Sequence, residues 1–132
     1  MPQFKKLTPN LLVSSVERSL AFYVDTIGFT RGMTVPDQSP FAFASVVSGA
    51  VEIFFNDAAA AEKEYPLFAG RPIGCTGTLF IEVEGVDALH DRLAGTVPIV
   101  MAIATKFYGM REFAIEDPDG YVITFAERIA NG

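Results

Sequence analysis

Tryptophan is absent from this chain, and cysteine and histidine occur once each. A single thiol, Cys75, excludes an internal disulfide framework and a multi-thiolate zinc site. It stands in a glycine-rich stretch with no histidine nearby and reads as an ordinary thiol. Basic charge is scarce as well: ten Lys and Arg against sixteen Asp and Glu leave a net charge of −6. Without a basic patch for phosphate backbones, nucleic acid and anionic membrane surfaces are excluded as main partners. No apolar run reaches the roughly 20 residues that a bilayer span requires. The opening Met1-Pro2-Gln3-Phe4-Lys5-Lys6 lacks an apolar signal segment. These absences predict a soluble, cytoplasmic protein. Its 132 residues, half of them apolar, predict one domain over residues 1–132 with one sizeable core.

What the chain has in abundance is phenylalanine, twelve residues of it. A ring with no polar group belongs in a core or a pocket wall. Leu7 to Val13 reads as a strand ended by Ser14-Ser15, where a helix starts. Val16, Leu20, Tyr23, Val24 and Ile27 then form one apolar stripe, and Gly28 suits a left-handed helix stop. Phe29 to Val35 is a strand. Phe41 to Val47 and Val51 to Phe55 form a hairpin across Ser48-Gly49-Ala50. From Asn56 to Thr78 the pattern changes: Asp57 to Glu64 favours a short helix, and Pro66, Gly70, Pro72, Gly74 and Gly77 then break regular structure. That length predicts a lid or a crossover. Leu79 to Val83, a helix from Val86 to Leu93, and Val97 to Ala104 follow.

The chain closes on a hairpin from Tyr108 to Glu127, bent at Asp117-Pro118-Asp119-Gly120. Asp117 can accept from the following amides, Pro118 presets φ and Gly120 closes the bend, a composition suited to a type I turn. The order β-α-β-β-β thus occurs twice, over about residues 5–56 and 76–129. The two copies share a weak internal repeat: Leu11-Leu12-Val13 parallels Phe80-Ile81-Glu82-Val83, and Val51-Glu52-Ile53-Phe54-Phe55 parallels Ile123-Thr124-Phe125-Ala126.

This duplication, with Thr8-Pro9-Asn10-Leu11, Ser19-Leu20-Ala21-Phe22-Tyr23 leading to Ile27-Gly28-Phe29, and Asp117-Pro118-Asp119-Gly120, resembles the vicinal oxygen chelate superfamily of glyoxalases, bleomycin resistance proteins and extradiol dioxygenases. Thr-Pro-Asn-Leu and Val51-Glu52-Ile53-Phe54-Phe55 look closest to the bleomycin resistance branch. The resemblance implies an α+β fold in which two βαβββ modules form a curved mixed sheet around a cleft, often completed within a homodimer. It also implies four metal positions, which fall on Thr8, Glu52, Thr78 and Thr124. Threonine hydroxyls are poor ligands for Zn²⁺, Ni²⁺ or Fe²⁺ beside imidazole, thiolate or carboxylate. One carboxylate among three hydroxyls departs from the metalloenzyme pattern, so neither metal nor any other cofactor is expected.

Strand alternation sharpens the candidates. Glu52 and Phe54 share one face of their strand, while Val51, Ile53 and Phe55 form a wholly apolar face for packing on helices. The same rule turns Thr8, Asn10, Thr78, Phe80 and Thr124 towards the cleft. With Phe41, Phe43, Phe107, Tyr108 and Arg111 as walls or rims, this cleft suits a small organic molecule, and the acidity of the chain suits a cationic one. Glu112 and Glu116 share a face, and Glu112 is a candidate general base or cation contact beside Glu52. His90, among Asp87, Asp91 and Arg92, reads as a solvated surface residue. The favoured function is metal-independent binding or sequestration of a small molecule. Two alternatives stay open: a metal-dependent lyase, isomerase or dioxygenase, and a non-catalytic structural or regulatory dimer.

Overall fold

Ser15 starts the first helix. Its backbone is extended and its hydroxyl accepts from the Arg18 amide at 3.1 Å, satisfying a donor that the first turn leaves open. In the computed structural model, which describes residues 2–74 and 76–129, the chain divides into two compact units, Met1–Ile73 and Gly74–Gly132. Each repeats the β-α-β-β-β order on its own four-stranded sheet. Cys75 lies outside the described residues.

In the first unit the strands are β1 (Asn10–Val13), β2 (Thr30–Val35), β3 (Phe43–Ser48) and β4 (Val51–Asp57), ordered β1-β4-β3-β2. β1 runs parallel to β4, and the other pairings are antiparallel. β1 is shorter than the run Leu7 to Val13. Pro9 has no N–H to donate, and only its carbonyl reaches the sheet, accepting from Phe54 N at 2.9 Å. Helix α1 (Val16–Leu20) widens after one turn into a π-helical segment, Ala21–Ile27. Gly28 N donates five residues back to the Tyr23 carbonyl at 3.0 Å, and Gly28, at φ 111°, ends the segment in the left-handed region. The wider turn keeps Val16, Leu20, Tyr23 and Ile27 buried and leaves Val24 half-buried at the edge of the expected stripe. Tyr23 meets Phe55 at 4.8 Å between ring centroids, over Val13, Val46 and Ile53. Burying a side chain such as Phe55 stabilises the unit by about 1.5–3 kcal/mol.

Helix α2 (Ala58–Glu64) begins the connection, capped by Asp57, whose carboxylate accepts from Ala60 N at 3.1 Å. A 3-10 turn, Pro66–Phe68, follows it.

The second unit holds β5 (Thr78–Glu82), α3 (Val86–Ala94), β6 (Ile99–Thr105), β7 (Met110–Glu116) and β8 (Val122–Arg128), ordered β5-β8-β7-β6. Phe113, Ile115, Ile123 and Phe125 form the helix-side core with Val86 and Leu93, and the Phe113 and Phe125 rings lie 5.3 Å apart. The turn between β7 and β8 closes as its composition predicts. Gly120 N donates to the Asp117 carbonyl at 3.1 Å, and the Asp117 carboxylate accepts from Asp119 N and Tyr121 N, each at 2.9 Å. These bonds fix the register of β8, with Ala114 opposite Thr124 and Phe80 beside it on β5.

His90 departs from the expected solvated position. It is four residues beyond Val86 and three before Leu93, so it falls on the apolar stripe of α3. Its ring meets buried Phe113 edge-on at 5.1 Å, and the side chain is 21% exposed.

Candidate functional site

Alternation and register divide each sheet into a helix side and an opposite face. In the first unit Asn10, Leu12, Phe43, Glu52, Phe54 and Asn56 share the face opposite α1. The Phe43 and Phe54 rings lie 5.1 Å apart there, and Asn56 Nδ2 donates to Asn10 Oδ1. At one end of this face the α2 connection folds down to form a pocket of about 470 Å³. Its lining is Asn10 and Leu12 from β1 with Glu64, Tyr65, Pro66, Leu67 and Phe68 from the connection. Tyr65 and Phe68 meet edge-on at 5.8 Å, so an aromatic pair lines the same pocket as the Asn10 amide. Of the residues expected at a ligand site from sequence, Asn10 lines this pocket and Phe54 neighbours it through the β1–β4 ladder. Tyr65, Leu67 and Phe68 were not singled out from sequence, because no periodicity places side chains in a stretch punctuated by proline and glycine. Their one visible signal is the aromatic cluster at the stop of a short helix.

Thr8 precedes β1 and is half-buried. Glu52 is engaged by Lys6, whose Nζ lies 2.6 Å from Oε1, with both side chains partly exposed. Phe41 turns to the helix side, where its ring lies under the Arg31 guanidinium at 5.0 Å. Both border a smaller hollow of about 260 Å³ beside Glu17 and Val24. Glu17 is already occupied there: it accepts from the Ser39 hydroxyl and from Phe41 N at 2.9 Å, and these bonds hold its carboxyl below the ordinary range.

In the second unit Thr78, Phe80, Glu112, Thr124 and Ala126 share the face opposite α3. Thr78 Oγ1 lies 2.7 Å from Thr124 Oγ1 and donates to the Val122 carbonyl at 3.1 Å. Glu112 is 3% exposed, and its Oε2 accepts from the Tyr108 hydroxyl at 2.7 Å. That bond raises the Tyr108 pKa above the usual tyrosine value. Phe107 is fully exposed, with its ring edge-on to Tyr108 at 5.1 Å. Arg111 lies on the other side of β7: its guanidinium reaches Asp87 of α3 at 2.9 Å and Thr105 at 3.2 Å, so it braces helix against sheet, away from Thr124.

The four positions implied for a metal can be tested within each unit by donor chemistry. Thr8 and Glu52 supply one hydroxyl and one carboxylate already compensated by Lys6. Thr78 and Thr124 supply two neutral hydroxyls bonded to each other. Among the described residues no three His, Cys, Asp or Glu side chains converge. Neither donor pair fits a divalent transition-metal ion. Among the described residues no helix is long and apolar enough to cross a membrane.

Comparison with known proteins returns one family profile, the Glyoxalase/Bleomycin resistance protein/Dioxygenase superfamily, matched by residues 6–125. A curated relative, the bleomycin resistance protein of Geobacillus stearothermophilus, is 28% identical over 130 residues, spanning 92% of this chain and 95% of that protein. Among solved structures, a glyoxalase/bleomycin resistance protein/dioxygenase from Nocardioides superposes with a TM-score of 0.79 at 20% identity, covering 100% of this chain and 88% of that one. The bleomycin-binding protein of bleomycin-producing Streptomyces verticillus, solved with copper(II)-bleomycin, superposes with a TM-score of 0.64 at 26% identity and covers 99% of this chain and 100% of that one.

Proposed function

The chain belongs to the glyoxalase/bleomycin resistance protein/dioxygenase superfamily, and from that premise we propose that it binds and sequesters a small organic molecule without a metal and without transforming it. The observation that carries this reading is the pocket of about 470 Å³ in the first unit. Its walls are mostly apolar and aromatic, with one amide, Asn10, and one carboxylate, Glu64, to orient a ligand. Its lining has no histidine or cysteine and no paired carboxylates for acid–base work. The likeness to bleomycin resistance and bleomycin-binding proteins supports a drug-like ligand. The net charge of −6 and Glu64 at the pocket wall support a cationic one. The same reading includes a homodimer, supported by the exposed apolar side chains Met33, Val35 and Phe107.

A thermal-shift screen against cationic glycopeptides and planar aromatic cations tests the proposal, with elemental analysis of the dialysed protein beside it. A saturating ligand at 100 times its Kd stabilises a one-site binder by about 2.7 kcal/mol. The expected result is a concentration-dependent rise in melting temperature that survives chelation, and Phe68→Ala lowering affinity by about tenfold. Stoichiometric metal retained through dialysis, or no shift with any probe, overturns the reading.

A further inference from the structure

The smaller hollow of the first unit, about 260 Å³, lies on the helix side of its sheet. Register puts it there: Arg31 stands opposite Val46, which is fully buried in the helix-side core, and residues paired across two strands share a face. The segment leading into β3 is pinned to α1, because Glu17 Oε2 accepts from the Ser39 hydroxyl and from Phe41 N at 2.9 Å. Phe41 is thereby one wall, and Leu20 and Val24 form the apolar wall on the helix. The Arg31 guanidinium meets the Phe41 ring at 5.0 Å, a contact that spends none of its five N–H donors on an oxygen. Asp25, on the π-helical segment, lines the same hollow. Both charged side chains are exposed, and among the described residues neither has an ion-pair partner.

A guanidinium and a carboxylate that border one small hollow, unbonded to each other, leave room for a molecule carrying both opposite charges. We propose that this hollow binds a small zwitterion, an α-amino acid with an apolar side chain. Its carboxylate takes the Arg31 fork, its ammonium takes Asp25, and its side chain lies against Leu20, Val24 and Phe41. Glu17 is not the ammonium partner, since it already ties down Ser39 and Phe41. The volume sets the size class: it falls below the roughly 300–1,000 Å³ of pockets for drug-sized ligands, so the occupant is smaller than the ligand proposed above. This site is separate from that pocket and does not depend on it.

Leucine, 4-methylpentanoate and 3-methylbutylamine share one branched tail and carry both charges, the negative alone and the positive alone. Methyl and aromatic NMR titration of the whole protein locates and ranks them. Because Arg31 and Asp25 are exposed, each contact is worth what a surface ion pair is worth, and leucine is expected to bind about fivefold more tightly than either analogue. Shifts are expected at Leu20, Val24 and the Phe41 ring. Arg31→Gln should make leucine no tighter than 3-methylbutylamine, and Asp25→Asn should make it no tighter than 4-methylpentanoate; if one variant fails to fold, the other carries the test. Equal binding of leucine and 4-methylpentanoate to the native protein, a leucine preference kept in the folded variants, or no shift at these residues with any of the three overturns the proposal. Shifts confined to Tyr65 and Phe68 also overturn it while leaving the reading of the larger pocket in place.

Discussion

Glu127 lies 42 residues from Gly85 in sequence, yet its two carboxylate oxygens accept from Gly85 N and Val86 N, each at 3.0 Å. Gly85, at φ 80°, has no side chain with which to cap α3, so a remote carboxylate caps the helix. The bond from Gly85, then that from Val86, holds the Glu127 carboxyl below the ordinary range. A group whose pKa is depressed on folding contributes stability above its unfolded pKa and loses it as pH falls through the folded value. The melting temperature of the native protein is therefore expected to fall more steeply than that of Glu127→Gln as pH drops below about 4.5, with the variant less stable at neutral pH. Parallel curves for the two proteins would remove this role. Glu127 was not legible in the sequence as a cap, because the amides it serves are joined to it only by the pairing of β5 with β8. Thr124 was legible, since the Asp117 turn fixes its register. What its hydroxyl does was not, because that depends on Thr78, which the parallel ladder brings across from a strand 46 residues away.

At the level of elements, β2 shows how one glycine shapes a strand. Its pairing with β3 shifts register between Arg31 and Thr34, and within that irregularity Met33 N donates to Ser45 Oγ at 2.9 Å. A Cβ on Gly32 would run into Ser45 Oγ and come within 3.1 Å of the Ser45 carbonyl oxygen. Gly32→Ala is expected to cost about 1–3 kcal/mol in urea denaturation. Adding Ser45→Ala is expected to recover part of that loss, because the hydroxyl yields and the backbone oxygen does not; a fully additive double variant would show that the two sites do not meet. Most elements were legible from pattern: Ser15 and Gly28 mark the ends of the first helical stretch, and Ile53 and Phe55 mark the buried side of β4. The π-helical widening was not legible, since a stripe at i, i+4 and i+7 fits both windings closely enough over so few turns. His90 does not follow its charged neighbours into solvent, because its spacing to Val86 and Leu93, and not the charge beside it, sets which side of the helix it faces.

At the scale of the whole molecule, duplication and charge set what can approach. Two units of the same β-α-β-β-β order each turn one side of a sheet to a helix, and the net charge of −6 surrounds both. Screening is governed by a Debye length of about 10 Å at 0.1 M salt, so a field built from dispersed surface carboxylates acts on approaching ligands mainly in dilute salt. A planar aromatic cation is expected to associate more slowly as NaCl rises from about 0.05 to 0.5 M, by about tenfold. Its dissociation rate should change little, because contacts with Tyr65 and Phe68 are short-ranged and apolar. A neutral probe with the same ring should show no such dependence. Glu64 alone of the carboxylates lines the first-unit pocket, so Glu64→Gln should shallow the salt dependence more than removal of a carboxylate already engaged within the fold, such as Glu17. Stopped-flow fluorescence with a cationic dye measures both rates. A salt effect confined to dissociation would place the attraction in a local ion pair and not in the overall field.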